Sequence, residues 1–428
     1  MMQRLLRSPL LRNLAAVTSG TAAAQVIVLA FSPLITRIYT PETFGIQGVF
    51  LGVVSICAPI AALRYPMAIV VADSEAEVRD LVRLCIYLAG IVSGIVALLL
   101  LGFREPFAIL MGIGELGLLV WFLPVALFFT ALQDIMDFRA ARYGVFRLIG
   151  FVAVAQSFLT NLARILGGLV TPAAIVLVAV SALAPFMQAV LLRIGIGKHL
   201  RTMPSSTSPS GMNLLKAHSD FPLYRMPTDV LNAASQSVPV ILLAALFSPV
   251  AAGLYTLTRS VLNLPSNLIG NAMGNVLYVR FAELAREGKA LAPLLLKTTA
   301  ALSALAPAIV GAAWFSPAIF AFVFGEEWRE AGYYARWMSL WIAMMIINVP
   351  VTRSIPVIGR QNLLLGFNLL LLIVRSLSIL SAYSLSGSAL TAIVWFSVSS
   401  SIMIALSILA FTWCVVDFDR KRKEIANG

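Results

Sequence analysis

Twelve stretches of about twenty mostly apolar residues recur along this chain, and each is long enough to cross the hydrocarbon core of a bilayer as a helix. They fall at 14–35, 44–63, 84–102, 116–132, 145–166, 169–192, 230–247, 251–277, 294–324, 333–349, 363–383 and 390–416. A segment inside lipid must satisfy its own backbone N–H and C=O groups, and runs of this length do so as helices. Composition agrees: 60% of the 428 residues are hydrophobic and 12% are charged, too few charges to cover a water-soluble surface. A soluble enzyme, a nucleic-acid-binding domain and a disordered chain are therefore excluded. The expected fold is an all-α polytopic membrane protein of about 12 transmembrane helices in two six-helix lobes. The ninth stretch is too long for one perpendicular crossing, and Pro317 is expected to end it. The first is too long for a signal-peptide core and reads as a retained helix.

Lysine and arginine set the orientation. With the N-terminus in the cytoplasm, 24 of the 31 basic residues fall in inner segments and 4 in outer loops, while Arg164, Arg259 and Arg375 lie inside spans. Both termini are then cytoplasmic. The net charge of +12 reflects this topological bias and needs no nucleic-acid partner. Cys57, Cys85 and Cys414 lie in or beside apolar runs, without metal-ligand spacing, and read as small buried hydrophobes. His199 and His218 sit in one polar connection and read as solvated.

That connection, 193–229, is the longest of the polar segments and is rich in serine and proline. It reads as a cytoplasmic linker between an N-terminal lobe at 1–192 and a C-terminal lobe at 230–416, with a basic tail at 417–428. The two halves resemble each other. TAAAQVIVLAFSPLITRIYTPETFGIQ and NAASQSVPVILLAALFSPVAAGLYT both run Ala-x-Gln, an apolar stretch, then proline, three residues and glycine. Gln25 pairs with Gln236, Pro41 with Pro249, and Gly45 with Gly253. Six helices restore the starting side, so the repeats are parallel, about an axis along the membrane normal.

Polar groups inside spans are costly and ordinarily face a cavity or another helix. In the eighth span Arg259, Asn263, Asn267, Asn271 and Asn275 recur every four residues. Each step drifts about 40°, giving one slowly winding stripe, read as substrate-facing. The seventh span carries Asp229, Asn232, Ser235 and Gln236; the first carries Thr18, Thr21, Gln25, Ser32 and Thr36. The fifth has Gln156, Thr160 and Arg164, the last placed to snorkel to the outer interface. The eleventh has Asn368 and a nearly central Arg375, which reads as the leading anion-binding candidate. A buried arginine needs an anionic partner. Either Asp229 or an anionic substrate such as a phosphate group would serve.

No nucleotide-binding loop, metal-spaced cluster or nucleophile elbow occurs. Asp417-Phe-Asp419 has the DxD form of metal-dependent glycosyltransferases, but no nucleotide-binding domain surrounds it. The chain reads as a transporter rather than an enzyme, with no cofactor and no resident metal, and with an ion gradient of H⁺ or Na⁺, or the substrate gradient itself, as candidate energy sources.

Three segments carry a family resemblance. Residues 220–283 (DFPLYRMPTDVLNAASQSVPVILLAALFSPVAAGLYTLTRSVLNLPSNLIGNAMGNVLYVRFAE) resemble the middle of bacterial polysaccharide flippases of the Wzx type. FGEEWREAGYYARW at 324–337 is similar to the Phe-Gly-x-x-Trp-x-x-Ala-Gly segment of that family, and AALRYPMAIVVAD at 61–73 matches its pattern after the second helix. The resemblance spans essentially the whole chain. It implies the fold shared with multidrug and toxic-compound extrusion (MATE) transporters. It further implies translocation of undecaprenyl-pyrophosphate-linked oligosaccharide from the inner to the outer leaflet of the bacterial inner membrane, for O-antigen, capsule or exopolysaccharide synthesis. Polysaccharide polymerase or export proteins are the protein partners it suggests. A drug/cation antiporter of the same fold is the main alternative, although the intramembrane charge bias here is basic. A membrane polymerase or ligase would carry a sizeable outer loop, which the sequence lacks. A lipid II flippase would typically show fourteen spans.

Overall fold

Prolines open many of the helices, because a proline at the first turn loses no hydrogen bond and its φ is already helical. The structure, a computed structural model, describes residues 9–110, 112, 114–200 and 211–427. The main helices are α1 (Pro9–Ile38), α2 (Pro41–Ala61), α3 (Glu75–Leu110), α4 (Phe122–Arg142), α5 (Phe146–Val170), α6 (Ala174–Leu200) and α7 (Met226–Leu246). They continue as α8 (Pro249–Arg286), α9 (Ala292–Ser303), α10 (Ala306–Ala313), α11 (Ser316–Phe324), α12 (Arg329–Ile347), α13 (Gln361–Ser386) and α14 (Ala389–Asn427). No strand occurs among the described residues.

Among the described residues eleven stretches are long and apolar enough to cross a membrane. The remaining expected crossing lies on α8, which is 38 residues long but carries Arg259 and the asparagine stripe. The ninth stretch is three short helices, with breaks at Ala304–Leu305 and Trp314–Phe315. Pro293, Pro307 and Pro317 each sit in the first turn of one of them. The candidate crossing, Ala292–Ala313, stops ahead of Pro317, as expected, and Pro317 opens the short separate helix that follows.

The chain divides into two compact units, Met1–Gly253 and Leu254–Gly428. The first holds α1 to α7 and the first turn of α8, so the boundary lies within α8 and not in the 193–229 segment. In this unit α1 packs on α5, α4 on α6, and α2 on α7. Gly20 lets α1 approach α5 closely: a Cβ there would overlap the Gly150 backbone.

The α2–α7 pair is fastened along its length. At one end the first turns of α2 and α8 cross. Thr40 caps α2 by accepting from the Thr43 N–H at 3.5 Å, and Ser248 accepts from Ala251 N–H at 3.1 Å. Pro41 and Pro249 follow these caps. A Cβ on Gly45 would overlap the Pro249 carbonyl, and one on Gly253 would overlap that of Pro41. In the middle Gly52 lies against Ser237 and Val240. At the other end Arg64 reaches Asp229 and Asp134, with Nε 2.8 Å from Asp229 Oδ2 and Nη1 3.1 Å from Asp134 Oδ2. Arg225 also meets Asp229, at 3.4 Å. Arg64 and its neighbour Leu63 have φ of 59° and 50°, a left-handed backbone that these side chains normally avoid. The double carboxylate contact helps hold that conformation.

His218 is not a solvated residue. Its Nε2 lies 2.9 Å from Glu77 Oε1, and both side chains are about 15% exposed. His199 has its side chain outside the described residues.

The second unit pairs α13 with α14, α12 with α14, and α11 with α12. One apolar cluster gathers Leu277, Phe281, Leu291, Leu295, Val351, Ile355, Phe411 and Val415. Asp419, buried, closes it: its Oδ2 accepts from the backbone N–H groups of Leu291 and Ala292, both at 2.8 Å. Asp417 pairs with Lys421 at 2.9 Å. The DxD pattern is therefore accounted for by a helix cap and a surface ion pair. No group of three or more metal-ligating side chains exists among the described residues.

Candidate functional site

Helix α5 places a polar residue every three to four positions, so Gln156, Ser157, Thr160, Asn161 and Arg164 share one face. That face, with Gln25 of α1 and Ser181 of α6, lines a recess of about 350 Å³ within the first unit. The size suits a small-molecule group, since such sites run upward from about 300 Å³. Apolar side chains, including Val28 and Leu51, complete the wall, and no lining residue is acidic.

Among the described residues Arg164 is the only charge on the wall. Its Nη1 donates to Asn161 Oδ1 at 3.4 Å and its Nη2 to Ser181 Oγ at 3.3 Å, both long. The neighbours are themselves fixed. Ser181 accepts from Gln47 Nε2 at 2.8 Å and donates to Leu177 O at 2.7 Å. Asn161 donates to Ser157 O at 2.8 Å, and Ser157 to Ala24 O at 2.9 Å. Tyr39 donates to the Arg164 carbonyl at 2.8 Å, so the backbone carrying the guanidinium is also anchored. Three buried polar atoms of this wall have no hydrogen-bond partner: Arg164 Nε, Thr160 Oγ1 and Gln25 Oε1. Such orphans are uncommon in folded proteins and cost stability. Chemically the recess offers a guanidinium, a hydroxyl and an amide. It can accept an anionic, hydroxyl-bearing group and has no carboxylate to pair with an organic cation.

The other sequence-derived candidates disperse. Arg375 of α13 is 4% exposed; its Nε donates to Ser400 Oγ at 3.2 Å. Its guanidinium lies 5.1 Å from the Trp341 ring centre and 5.4 Å from that of Phe396. It is packed in an aromatic setting within the second unit. Arg259 and Asn263 are half-buried on α8, Asn267 is exposed, and the side chains of Asn271 and Asn275 lie outside the described residues. Asn368 is half-buried on α13. Gln236 is exposed and donates to Asn232 Oδ1 at 3.3 Å. Asp229 is engaged by Arg64 and Arg225, as described above.

Read from its own helix Arg164 is placed to snorkel; in the structure Asn161 and Ser181 hold its guanidinium at the wall. The signal was present in the i, i+4, i+8 series of Gln156, Thr160 and Arg164.

Comparison with known proteins agrees with the helical architecture. The succinoglycan biosynthesis transport protein ExoT of Rhizobium meliloti (strain 1021) is 24% identical over 417 residues, covering 90% of this chain and 76% of that protein. Among solved structures, the lipid II flippase MurJ in an inward closed conformation matches with a TM-score of 0.71 at 13% identity, over 94% of this chain and 91% of that one. A MATE transporter in complex with MaL6 matches with a TM-score of 0.63 at 14% identity, over 97% and 99%. A transporter of the multidrug/oligosaccharidyl-lipid/polysaccharide (MOP) superfamily from Pyrococcus furiosus, described as having a binding pocket of reversed polarity, matches with a TM-score of 0.65 at 14% identity, over 96% and 97%. The fold is that of the MurJ and MATE transporters. The polysaccharide biosynthesis protein family model matches residues 34–332, and this chain, a multi-pass membrane protein, belongs to that family.

Proposed function

We propose that this protein is a flippase for lipid-linked polysaccharide precursors, and that it moves an undecaprenyl-pyrophosphate-linked oligosaccharide from the cytoplasmic to the outer leaflet of the inner membrane. The observation that carries this reading is the Arg164 recess: a basic, amide- and hydroxyl-lined space inside an apolar helical unit. A sugar head group needs such surroundings to leave water, while its lipid tail stays in the bilayer. A cation/drug antiporter would need a negative or apolar pocket, and the wall here carries one guanidinium and no carboxylate. Membership of the polysaccharide biosynthesis family and the MurJ-like fold support the same reading.

In this reading the two repeats rock about the central site, opening first inward and then outward. Arg259, Asn263 and Asn267 on α8 are assigned to the pyrophosphate and its neighbouring sugars, because arginine matches phosphate in geometry and charge. Both termini are cytoplasmic, as the positive-inside bias requires. An ion gradient of H⁺ or Na⁺, or the substrate gradient itself, drives the cycle.

Deleting the gene tests the reading. Undecaprenyl-pyrophosphate oligosaccharide should accumulate on the cytoplasmic leaflet while surface polysaccharide disappears. Accumulation of unpolymerised glycan on the outer leaflet would instead favour a polymerase.

A further inference from the structure

The geometry points to a specificity within the recess: it binds one carboxylate-bearing sugar residue of the glycan, a uronic-acid-like unit, and not the pyrophosphate. This inference rests on the flippase reading and deepens it.

Charge count decides between the two anionic groups of such a substrate. The wall carries a single cation, Arg164, and no second lysine or arginine lines it. A pyrophosphate diester brings two negative charges at neutral pH. Placing it here would leave one charge buried and unpaired, which is strongly unfavourable. A carboxylate brings one charge and is matched by one guanidinium.

The polar lining suits the rest of the ligand. Around the Arg164 guanidinium the wall carries the amides of Gln25 and Gln156 and the hydroxyl of Thr160, groups that can both donate and accept. Together they suit an acceptor with full negative charge beside ring hydroxyls. A sugar acid supplies both within one ring. A neutral sugar supplies the hydroxyl but leaves the guanidinium without a charge partner. Free phosphate supplies the charge, but it lacks the ring that the apolar wall at Val28, Leu51 and Pro185 would contact.

The test measures binding to the purified full-length protein in detergent by isothermal titration with methyl β-D-glucuronide, methyl β-D-glucoside and inorganic pyrophosphate. The uronide should bind at least about tenfold more tightly than the glucoside, the factor that one charge-assisted hydrogen bond supplies. It should also bind more tightly than pyrophosphate. Arg164→Gln should abolish the preference. Because that variant removes an anchored side chain, Gln25→Glu provides a second route: it keeps the side-chain shape and supplies an internal carboxylate to the recess, and it should also erase the preference. Absence of uronide binding, equal binding of uronide and glucoside, or preference for pyrophosphate would overturn the inference. Transport of a lipid-linked glycan in vesicles separates this from the flippase reading. A uronide preference without such transport keeps the subsite and rejects the flippase; transport without a uronide preference rejects the subsite alone.

Discussion

Gly45 and Gly253 stand in a reciprocal relation: a Cβ on the first would strike the Pro249 carbonyl, and a Cβ on the second would strike the Pro41 carbonyl. Each glycine meets the residue four positions before the other. A local two-fold axis produces this arrangement, and the four residues are those paired by the internal repeat. Thr40 and Ser248, the caps just ahead of the prolines, extend the same symmetry by one position.

Gly45→Ala should therefore weaken this crossing. Overpacking at a tight contact costs about 1–3 kcal/mol, and the cost falls only on conformations in which the two turns touch. A single cysteine placed at Ser248, in a background without Cys57, Cys85 and Cys414, should react faster with a membrane-impermeant thiol reagent when Gly45 is alanine. An unchanged rate would mean that the crossing does not govern access at that end.

Arg64 joins two carboxylates from different helices while holding a left-handed backbone. Arg64→Ala leaves Asp134 and Asp229 facing one another without that shared cation. The loss should be about 2 kcal/mol, since all three side chains are more than two-thirds buried and removal of one partner strands the others. Adding Asp229→Asn should recover part of it. Thermal unfolding in detergent measures both, and strictly additive losses in the double variant would refute a shared cluster.

Arg375 is held by Ser400, Trp341 and Phe396. Lysine keeps the charge but not the planar stack, so Arg375→Lys should lower stability by about 1 kcal/mol. Arg375→Ala should lower it further, with reduced yield of folded protein. If Arg375→Ala melts like the unaltered protein yet loses transport, the side chain serves substrate rather than packing.

Asp419 accepts from two backbone N–H groups at the start of α9. Asp419→Ala should cost about 1–2 kcal/mol, the usual worth of a helix N-terminal cap, and Asp419→Asn should cost less. A metal-binding role for the Asp417-Phe-Asp419 pattern would instead make stability respond to chelators.

Much of the architecture was legible in the residues. Apolar runs placed the helices because burial in lipid selects for length and apolarity alone. The Pro41/Gly45 and Pro249/Gly253 correspondence was legible because close helix approach demands small residues. The 324–337 segment was legible as a family mark, and its structure gives the reason: Trp328, Ala331, Tyr334 and Ala335 are fully buried, and the Ala331 carbonyl accepts from Thr258 at 2.9 Å. Pro317 marks where the ninth crossing stops, and the further break ahead of Pro307 follows the same rule, a proline opening the helix after it. The link between His218 and Glu77 and that between Arg64 and Asp229 join residues 141 and 165 positions apart, and no local pattern signals them. The Arg164 recess was half legible. The polar face of α5 was visible, but its companions on α1 and α6 became neighbours only through packing.

Transport itself is the most direct measurement. The purified protein is reconstituted into vesicles that carry a labelled undecaprenyl-pyrophosphate oligosaccharide in one leaflet, and its appearance in the other is followed with an impermeant glycan-modifying reagent. Transfer well above protein-free vesicles, slowed by Arg164→Gln, is the expected result. Transfer at the protein-free rate, with the protein folded and inserted, would contradict the flippase reading.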